Sequence, residues 1–344
     1  MIPGLKVVAP GLRSTIQDLG RRGYRDVGVP LSGPLDRIGL ILANGLVGNA
    51  ANAPALEILV QGPVLEVLAG SLRVALVGGS GGLVIEGEQV SAVAPGQSVR
   101  VKRAGRIRTA ALGKVFCAYL AVEGGFAIAP CLGSAATYTR NRFGGFEGRA
   151  LDVGDILPVR SNDVDVRPEL ALGHAYDPAL DQPIRVVLGP QQDYFADAAV
   201  HTLLSATYTV SVQADRMGFR LDGPKLAHAK GYDIVSDGTV AGAIQVPGSG
   251  QPIVLLADAQ TTGGYPKIAT VISADVPVIA RRRPGASVRF ASVTRAEGEA
   301  VRREQEKTLG TWLSGLQTVR EAPVLDLAAL QANNLIDGVA NALD

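Results

Sequence analysis

The chain has 344 residues, which is long enough for about two domains that bury their cores without disulfides or a structural metal. Its 33 basic and 32 acidic residues leave a net charge of +1, which gives no electrostatic footprint for nucleic acid or an anionic membrane. The charged fraction of 19% and the apolar fraction of 47% exclude a disordered chain and a coiled coil.

The number of cysteines and the length of the apolar runs indicate the expected cellular compartment. Cys117 and Cys131 are too few for a disulfide scaffold and are not spaced as metal ligands. The first residues show no basic segment followed by an apolar stretch, and no apolar run reaches the length of a membrane span. We therefore expect a cytoplasmic protein that binds neither a membrane nor nucleic acid.

Short strand-like runs, separated by glycine and proline, dominate the chain. In the first half their connections are too short for crossover helices, so the sequence predicts antiparallel pairing and a mainly β fold in barrels or sandwiches with a few helices. The predicted strands are 55–60, 64–68, 72–77, 83–86, 98–102, 115–122, 184–188, 208–212, 243–246, 253–257, 269–273 and 287–290.

Three segments have helical patterns. The first is 35–47, with Pro34 suited to its first turn. The second starts at Thr294, which can form a capping box with Glu297, and runs to Leu313 with alternating charges that predict a solvated face. The third, 327–343, is predicted as a docked helix or a partly disordered end.

Two pairs of short matches suggest a duplicated β domain. Residues 95–101 (PGQSVRV) resemble 284–290 (PGASVRF), and the triplets at 23–25 and 218–220 lie 72 and 66 residues ahead of them. Chance could also produce matches this short. The organisation that we predict is a β domain over 1–165, a linker over 161–181, a second β domain over 182–293 and a helical tail over 294–344.

Several motifs with known chemistry are absent or out of context. Residues 78–82 (GGSGG) fit the nucleophile elbow formally, but a strand follows where that motif needs a helix, so we predict a glycine-rich hairpin turn. The chain has no P-loop and no dinucleotide-binding fingerprint. Its three histidines, at positions 174, 201 and 228, are isolated, so no metal site is expected.

Three segments carry polar residues that a fold alone does not require. Ser32 and Asp36 stand just ahead of a predicted helix, whose amides could receive an anion; a turn with an N-cap is the alternative. Arg216 could bind a carboxylate or phosphate, although a structural pair with Asp215 is equally compatible. A predicted buried strand then ends in acid, amide, hydroxyl, glycine and lysine groups: Asp258, Gln260, Thr261, Thr262, Gly263, Gly264, Tyr265 and Lys267.

Four segments, 11–49, 143–159, 214–221 and 242–275, together resemble a known family. They are similar to allophanate hydrolase subunit 2, also called the KipA-type biotin-dependent carboxyltransferase family, and the similarity runs in order from about residue 4 to 293. The resemblance implies two cyclophilin-like β-barrel domains and a KipI-type partner protein. It also implies one of three functions: the C subunit of the ATP-hydrolysing 5-oxoprolinase, the carboxyltransferase part of urea carboxylase, or a non-enzymatic regulator that binds a KipI-type kinase inhibitor.

Three features favour the 5-oxoprolinase branch. The methionines are Met1 and Met217, so the Met-Lys-Met biotin acceptor is absent and no biotin is expected on this chain. Asp26 stands near the position of a histidine of the carboxyltransferase branch, and 233–236 replaces its Pro-Ser-Asn run. The expected reaction therefore opens 5-oxoproline to glutamate with ATP as co-substrate, in a hetero-oligomer with the A and B subunits of 5-oxoprolinase, of which the second is of the KipI type.

The resemblance also suggests residue roles. Arg216 matches the arginine of the family's Asp-Arg-Met-Gly motif, so an oxyanion-binding role is carried over to it. With Lys267 and Asp215 it forms the predicted catalytic set. The predicted substrate-binding set is Ser32, Asp36, Asp258, Gln260, Thr261, Thr262, Gly263, Gly264 and Tyr265, and no metal ligand is predicted.

Overall fold

The computed structural model describes residues 3–176 and 180–319, so the predicted helix at 327–343 lies outside the described residues. The first half contains one helix among eleven strands. Its elements are β1 (Gly4–Ala9), β2 (Arg13–Gln17), α1 (Arg37–Leu46), β3 (Ala55–Leu59), β4 (Val64–Val67), β5 (Ser71–Val77), β6 (Leu83–Glu86), β7 (Val90–Val93), β8 (Ser98–Lys102), β9 (Arg106–Thr109), β10 (Cys117–Val122) and β11 (Ile156–Pro158).

The second half follows the same mainly β pattern with three further α-helices. Its elements are β12 (Leu170–Ala171), β13 (Ile184–Leu188), α2 (Asp197–Ser205), β14 (Tyr208–Ala214), β15 (Gly218–Asp222), β16 (Asp237–Gly238), β17 (Ala243–Gln245), β18 (Ile253–Leu255), β19 (Thr262–Gly263), β20 (Lys267–Val271), α3 (Val276–Ala280), β21 (Ser287–Val288), β22 (Phe290–Ser292), α4 (Arg295–Ser314) and β23 (Gln317–Thr318).

Two antiparallel sheets form the first half. One has the order β11-β1-β4-β9-β6-β7 and the other the order β2-β3-β10-β5-β8. Apolar side chains of both sheets, such as Leu65 and Leu120, belong to one buried cluster, while α1 covers the other face of the five-stranded sheet. Because both faces of this sheet are covered, every residue of β3, β5 and β10 is buried, and their apolar residues do not alternate with exposed polar ones.

An eight-stranded sheet forms most of the second half, with the order β21-β14-β15-β18-β17-β20-β13-β22, and it nearly closes into a barrel. All neighbours in it are antiparallel except β13 and β22, which run parallel. The prediction of a mainly β fold with few helices is confirmed. The predicted domain boundaries at 1–165, 182–293 and 294–344 stay a prediction.

Two local expectations were wrong. The turn at 78–82 is not a hairpin, because β5 and β6 on either side of it belong to different sheets and the turn carries the chain between them. The predicted strand at 287–290 is two strands, because β21 pairs with β14 whereas β22 pairs with β13. In both cases the chain passes from one pairing partner to another within a few residues.

The first two predicted helices form as their caps require. Asp36 is the N-cap of α1, and its carboxylate accepts hydrogen bonds from the N–H groups of Ile38 and Gly39 at 3.0 and 3.1 Å. Thr294 and Glu297 form the predicted capping box at the start of α4. In the described ranges, no helix is both long and apolar enough to cross a membrane.

α4 and the predicted linker both pack against the rest of the chain. Arg37 of α1 pairs with Glu306 of α4 at 2.6 Å, and α4 also contacts β13, so this helix touches both halves. Within the predicted linker, both carboxylate oxygens of Glu169 accept from Nε of the buried Arg73, at 3.0 and 2.9 Å. The described part of 161–181 is therefore anchored along the first half.

The buried hydroxyl of Tyr208 makes the stability of the protein depend on pH. Its hydroxyl is fully buried and has no hydrogen-bond partner among the described residues, and burial raises its pKa to about 12. Unfolded tyrosine ionises near pH 10. The contribution of Tyr208 to stability is therefore complete below about pH 10 and is lost as the pH rises towards 12.

We expect Tyr208→Phe to raise the free energy of unfolding by about 1 kcal/mol at pH 8, because an unsatisfied buried hydroxyl is removed without changing the ring. The variant should also lose less stability than the wild type between pH 9 and pH 11. Urea unfolding at the three pH values measures both effects. A less stable variant at pH 8 would mean that the hydroxyl has a partner in solution.

Gly39 in α1 and Gly310 in α4 are two helical glycines whose replacement by alanine should change stability in opposite directions. A Cβ at Gly310 in α4 would meet nothing within 4 Å, whereas a Cβ at Gly39 would lie 2.9 Å from Asp36 Oδ2 and 3.0 Å from the ring of Tyr119. Gly310→Ala should raise the free energy of unfolding by about 0.5–1 kcal/mol. Gly39→Ala should lower it by about 1–3 kcal/mol. Thermal and urea unfolding of both variants compare the two signs, and stabilisation of both would contradict the tight approach at Gly39.

Candidate functional site

Arg216 lies at the centre of a buried ion-pair cluster between the two halves. It sits in the turn between β14 and β15 and is 3% exposed. Its Nε and Nη2 donate to the two carboxylate oxygens of Asp258 at 2.8 and 3.0 Å, and Nη1 donates to Glu57 of β3. Nη2 also donates to the carbonyl oxygen of Gly33 at 2.7 Å. The bidentate geometry fixes the guanidinium plane relative to both halves.

The charge balance keeps this guanidinium ionised. Burial lowers the pKa of Arg216, but the attraction of Asp258 and then of Glu57 outweighs burial, so the pKa lies above the usual value for arginine. Two buried carboxylates around one buried cation are stable only while every partner is present. The protein's own groups therefore occupy most of the donors of Arg216, and its predicted oxyanion-binding role stays a prediction.

The cluster continues through the first half to Arg281. The second carboxylate oxygen of Glu57 accepts from the Tyr119 hydroxyl at 2.6 Å, and that hydroxyl accepts from the backbone N–H of Asp36 at 2.8 Å. The Asp36 carboxylate in turn accepts from Nη1 of Arg281 at 2.7 Å and from the Tyr176 hydroxyl. We call these seven residues the buried network: Asp36, Glu57, Tyr119, Tyr176, Arg216, Asp258 and Arg281.

The phenols of the network are held in the neutral form. Burial, reinforced by the negative charge of Glu57, raises the pKa of Tyr119 well above its ordinary value. Burial and then the charge of Asp36 do the same for Tyr176. Both hydroxyls therefore remain hydrogen-bond donors to carboxylates over the whole neutral range, and neither is a candidate general base.

A second cluster, more accessible to solvent, surrounds Lys267. Its Nζ donates to Asp237 Oδ2 at 2.7 Å and to the carbonyl oxygen of Gly238 at 3.2 Å, and Asp237 also accepts from Gln191 Nε2 at 3.1 Å. The lysine side chain is 3% exposed, whereas that of Asp237 is 50% exposed. The hydrogen bond from Lys267 is the main cause that lowers the pKa of Asp237. We call Gln191, Asp237, Gly238, Gln245 and Lys267 the lysine shelf.

Backbone pairing builds the wall of the lysine shelf. β16 pairs with β19, so Asp237 and Gly238 lie opposite Gly263 and Thr262. A Cβ at Gly263 would lie 2.4 Å from Nε2 of Gln245, so any larger residue there would displace that amide. Gln245 is 2% exposed, and its Nε2 has no hydrogen-bond partner among the described residues. The shelf thus combines the buried ammonium of Lys267 with the buried amide of Gln245, whose N–H donors have no partner among the described residues.

The other predicted site residues divide between these two clusters and the surface. Ser32 is buried beside the network in a left-handed conformation, with φ of 52°, and its Oγ has no described partner. Asp36 and Asp258 are members of the network. Gln260, Thr262 and Tyr265 are exposed around the shelf, whereas Thr261 is buried and Gly264 partly buried.

Asp215 does not pair with Arg216. Its Oδ1 instead accepts from the N–H groups of Met217 and Gly218 at 2.8 and 3.3 Å, so it caps the turn from an exposed position. Asp258 is the carboxylate that fixes the orientation of the Arg216 guanidinium. It was predicted as a substrate-binding residue. The predicted catalytic role of Asp215 stays a prediction.

Most hydrogen-bond partners of the predicted site residues were not themselves predicted. Glu57, Tyr119, Asp237, Gln245 and Arg281 were not predicted as site residues. Glu57 had a signal, since it is the one charged residue in an otherwise apolar strand. No local pattern marks Asp237 or Gln245, because their roles depend on strands that are distant in sequence. In the two described ranges, no group of three or more histidine, cysteine or acidic side chains could hold a metal ion.

The two clusters differ in what they can do chemically. The buried network has its charges paired internally, so it can position elements of both halves. The lysine shelf has an ammonium and a free amide donor close to exposed hydroxyl and phenol groups. Such donors can bind a carboxylate or the oxyanion of a polarised carbonyl.

A bacterial enzyme subunit is similar to this chain along most of its length. The C subunit of the 5-oxoprolinase of Haemophilus influenzae is 37% identical over 295 residues, which cover 86% of this chain and 93% of the relative.

Solved structures show the same architecture. The urea carboxylase of Kluyveromyces lactis superposes with a TM-score of 0.80 at 27% identity, over 94% of this chain and 30% of that one. The structure of TTHA0988 superposes with a TM-score of 0.74 at 37% identity, and it covers 85% of this chain. This chain spans 56% of TTHA0988, so it corresponds to about half of that protein.

The region that matches the family model extends over both halves of the chain. Residues 27–292 match the model of the carboxyltransferase domain, subdomain A and B. That match includes Arg216, Asp258, Lys267 and all the other members of the two clusters. The chain therefore belongs to the carboxyltransferase domain family, subdomains A and B.

Proposed function

We propose that this chain is the C subunit of an ATP-dependent 5-oxoprolinase that acts together with the A and B subunits of that enzyme, the second of the KipI type. The observation that carries the proposal is the similarity to the corresponding protein of Haemophilus influenzae, which extends over 93% of that relative at 37% identity. The absence of a Met-Lys-Met biotin acceptor from this sequence is consistent with it.

The proposed reaction needs activation because a five-membered lactam is a resonance-stabilised amide. Transfer of the γ-phosphoryl group of ATP to the lactam oxygen releases ADP. One water then adds to the ring carbon, the C–N bond breaks to free the amine, and a second water releases phosphate to leave glutamate. Catalysis of such steps consists mainly of positioning and charge stabilisation.

The lysine shelf is the part of this chain that suits the substrate. The Lys267 ammonium and the Gln245 amide can bind the carboxylate of 5-oxoproline or the oxygen that becomes negative. Thr262 and Tyr265, both exposed at the rim, can orient the ring. The buried network holds Asp258, and through it residues 258–267, in a fixed place relative to the first half. No lone general base is evident in the described clusters, which suits a site completed by a partner protein.

Carboxyl transfer is the second candidate, and one observation favours it. The superposition on the Kluyveromyces lactis urea carboxylase is the tighter one, with a TM-score of 0.80. Against it, the sequence identity is 27%, Asp26 stands near the position of a histidine, and residues 233–236 replace a Pro-Ser-Asn run that the resemblance associates with that chemistry. The superposition reports a shared fold, and fold alone does not select the reaction.

The proposal can be tested by co-expressing this chain with proteins encoded by neighbouring genes. Those proteins are the ones that resemble KipI and the A subunit of 5-oxoprolinase. We expect glutamate to be released from 5-oxoproline with ATP only when all three proteins are present. Within that complex, Lys267→Gln should lower kcat/KM by about ten- to a hundredfold, because one charge-assisted hydrogen bond is lost. Lys307→Gln, on the exposed face of α4, is the matched control and should leave activity unchanged. A well-formed complex without glutamate release would favour carboxyl transfer.

Arg216 gives a prediction about stability rather than about substrate binding. Arg216→Met leaves the buried carboxylates of Glu57 and Asp258 unpaired, so it should lower the free energy of unfolding by about 3–5 kcal/mol. Arg220→Met, an exposed arginine on the adjacent strand, should change it by less than about 0.5 kcal/mol. Urea unfolding of the isolated chain measures both values. An Arg216 variant of wild-type stability would show that the ion pairs are not formed in solution.

A further inference from the structure

The loop that follows β2 reaches from the first half to the edge of the lysine shelf. Two backbone hydrogen bonds close it, one from the N–H of Arg21 to the carbonyl oxygen of Leu31 at 2.8 Å and one from the N–H of Val29 to the carbonyl oxygen of Tyr24 at 3.0 Å. Arg25 lies inside the turn that the second bond closes. The backbone therefore holds Arg25 in a defined place at the end of this loop.

Arg25 contacts the second half through Thr239. Its Nη2 donates to the carbonyl oxygen of Thr239, the residue that follows β16. Thr239 is 2% exposed, its N–H donates to the carbonyl oxygen of Thr261 at 3.0 Å, and its hydroxyl donates to the carbonyl oxygen of Gln260. Both the loop that carries Arg25 and the residue that it contacts are thus fixed by other bonds.

Thr239 borders the lysine shelf directly. The carbonyl oxygen of Gly238, one residue earlier, accepts from Lys267 Nζ at 3.2 Å. A Cβ at Gly263 would lie 3.2 Å from the methyl group of Thr239 and 2.4 Å from Nε2 of Gln245, so the methyl group and the amide pack against the same glycine. The guanidinium from the first half therefore lies beside the donors of the shelf.

The Arg25 guanidinium has more donors than its surroundings use. A guanidinium carries a fork of N–H groups, yet among residues 3–176 and 180–319 the Thr239 carbonyl is the one hydrogen-bond partner of Arg25, and no acid forms an ion pair with it. The adjacent Asp26 is exposed. Arg216, in contrast, is paired with two carboxylates. A half-buried cation without a counter-ion favours an anionic ligand.

We propose that Arg25 binds the carboxylate of the substrate and makes the site specific for a lactam that carries one. This inference deepens the proposed function and rests on it. In 5-oxoproline the carboxylate and the lactam carbonyl stand on the two sides of the ring nitrogen, so holding both at once needs two sets of donors. Arg25 supplies one set from the first half, and its paired N–H groups match a carboxylate. Lys267 and Gln245 supply the other set, for the lactam oxygen.

Two lactams that differ in the carboxylate test this role. The assembled complex, without ATP, is titrated calorimetrically with 5-oxoproline and with 2-pyrrolidinone, which has no carboxylate. Arg25→Met should weaken binding of 5-oxoproline by about ten- to a hundredfold, the loss expected for a charge-assisted contact, and leave binding of 2-pyrrolidinone unchanged. Arg25→Lys should lie between the wild type and Arg25→Met, because an ammonium does not form the paired contact. Arg22→Met, at an exposed position of the same loop, is the matched control and should leave both unchanged.

A structural role for Arg25 would give a different pattern. If its contact with Thr239 served only to fasten the loop, Arg25→Met would weaken the binding of both lactams by the same factor, and that result would overturn the proposal. Absence of saturable 5-oxoproline binding to the wild-type complex would also overturn it, as would an equal loss of binding in the Arg22 variant.

Kinetics of the same variants keep this proposal distinct from the proposed function. With ATP present, Arg25→Met should raise the KM for 5-oxoproline by about ten- to a hundredfold with a much smaller change in kcat, because the carboxylate is bound equally in the ground state and the transition state. Glutamate release with an unchanged KM would reject the role of Arg25 and leave the reaction standing. Carboxylate-selective binding that depends on Arg25, in a complex that releases no glutamate, would reject the reaction and leave the carboxylate site.

Discussion

The pairing of Arg216 with Glu57 and Asp258 constrains the rest of the molecule. Glu57 belongs to a strand of the five-stranded sheet, and Asp258 follows a strand of the eight-stranded sheet, so one guanidinium connects the two halves. Removing three charged groups from water is costly, and only close and complete pairing offsets that cost. Any rigid shift of one half would break this geometry. The relative position of the halves is therefore set by charge as well as by the shared apolar core.

The same interaction reaches the lysine shelf, where we propose that the substrate binds. Asp258 lies nine residues before Lys267, and the intervening segment forms the wall of the lysine shelf. In the other direction, Glu57 and Tyr119 connect Arg216 to Asp36, which pairs with Arg281. The lysine shelf is thus tied through one set of buried hydrogen bonds to the first half, which fixes its position. Fixed geometry of this kind is what a reaction that depends on positioning requires.

Local patterns predicted the elements well and their partners poorly. The run at 55–60 and the capping box at Thr294 depend on neighbouring residues, and both were found. Which sheet a strand joins depends on distant residues, so the turn at 78–82 and the run at 287–290 were misjudged. The matching triplets at 23–25 and 218–220 differ in secondary structure, since 218–220 lies in β15 and 23–25 lies outside any strand. In the site, Arg216 and Lys267 were noticed for their charge, but Asp237 and Gln245 carry no local signal.

Burial and ion pairing give different roles to Arg216 and Lys267, the two basic residues that were predicted from the sequence. A guanidinium whose donors are taken up by two carboxylates and a carbonyl has little left for a substrate, whereas its removal would leave both acids uncompensated. Lys267 has one acid partner, and that acid is half exposed, so a substrate oxygen can compete for the ammonium at smaller cost. The neighbouring Gln245 amide offers donors that folding does not use. The chemistry of this chain should therefore depend directly on Lys267 and only indirectly on Arg216.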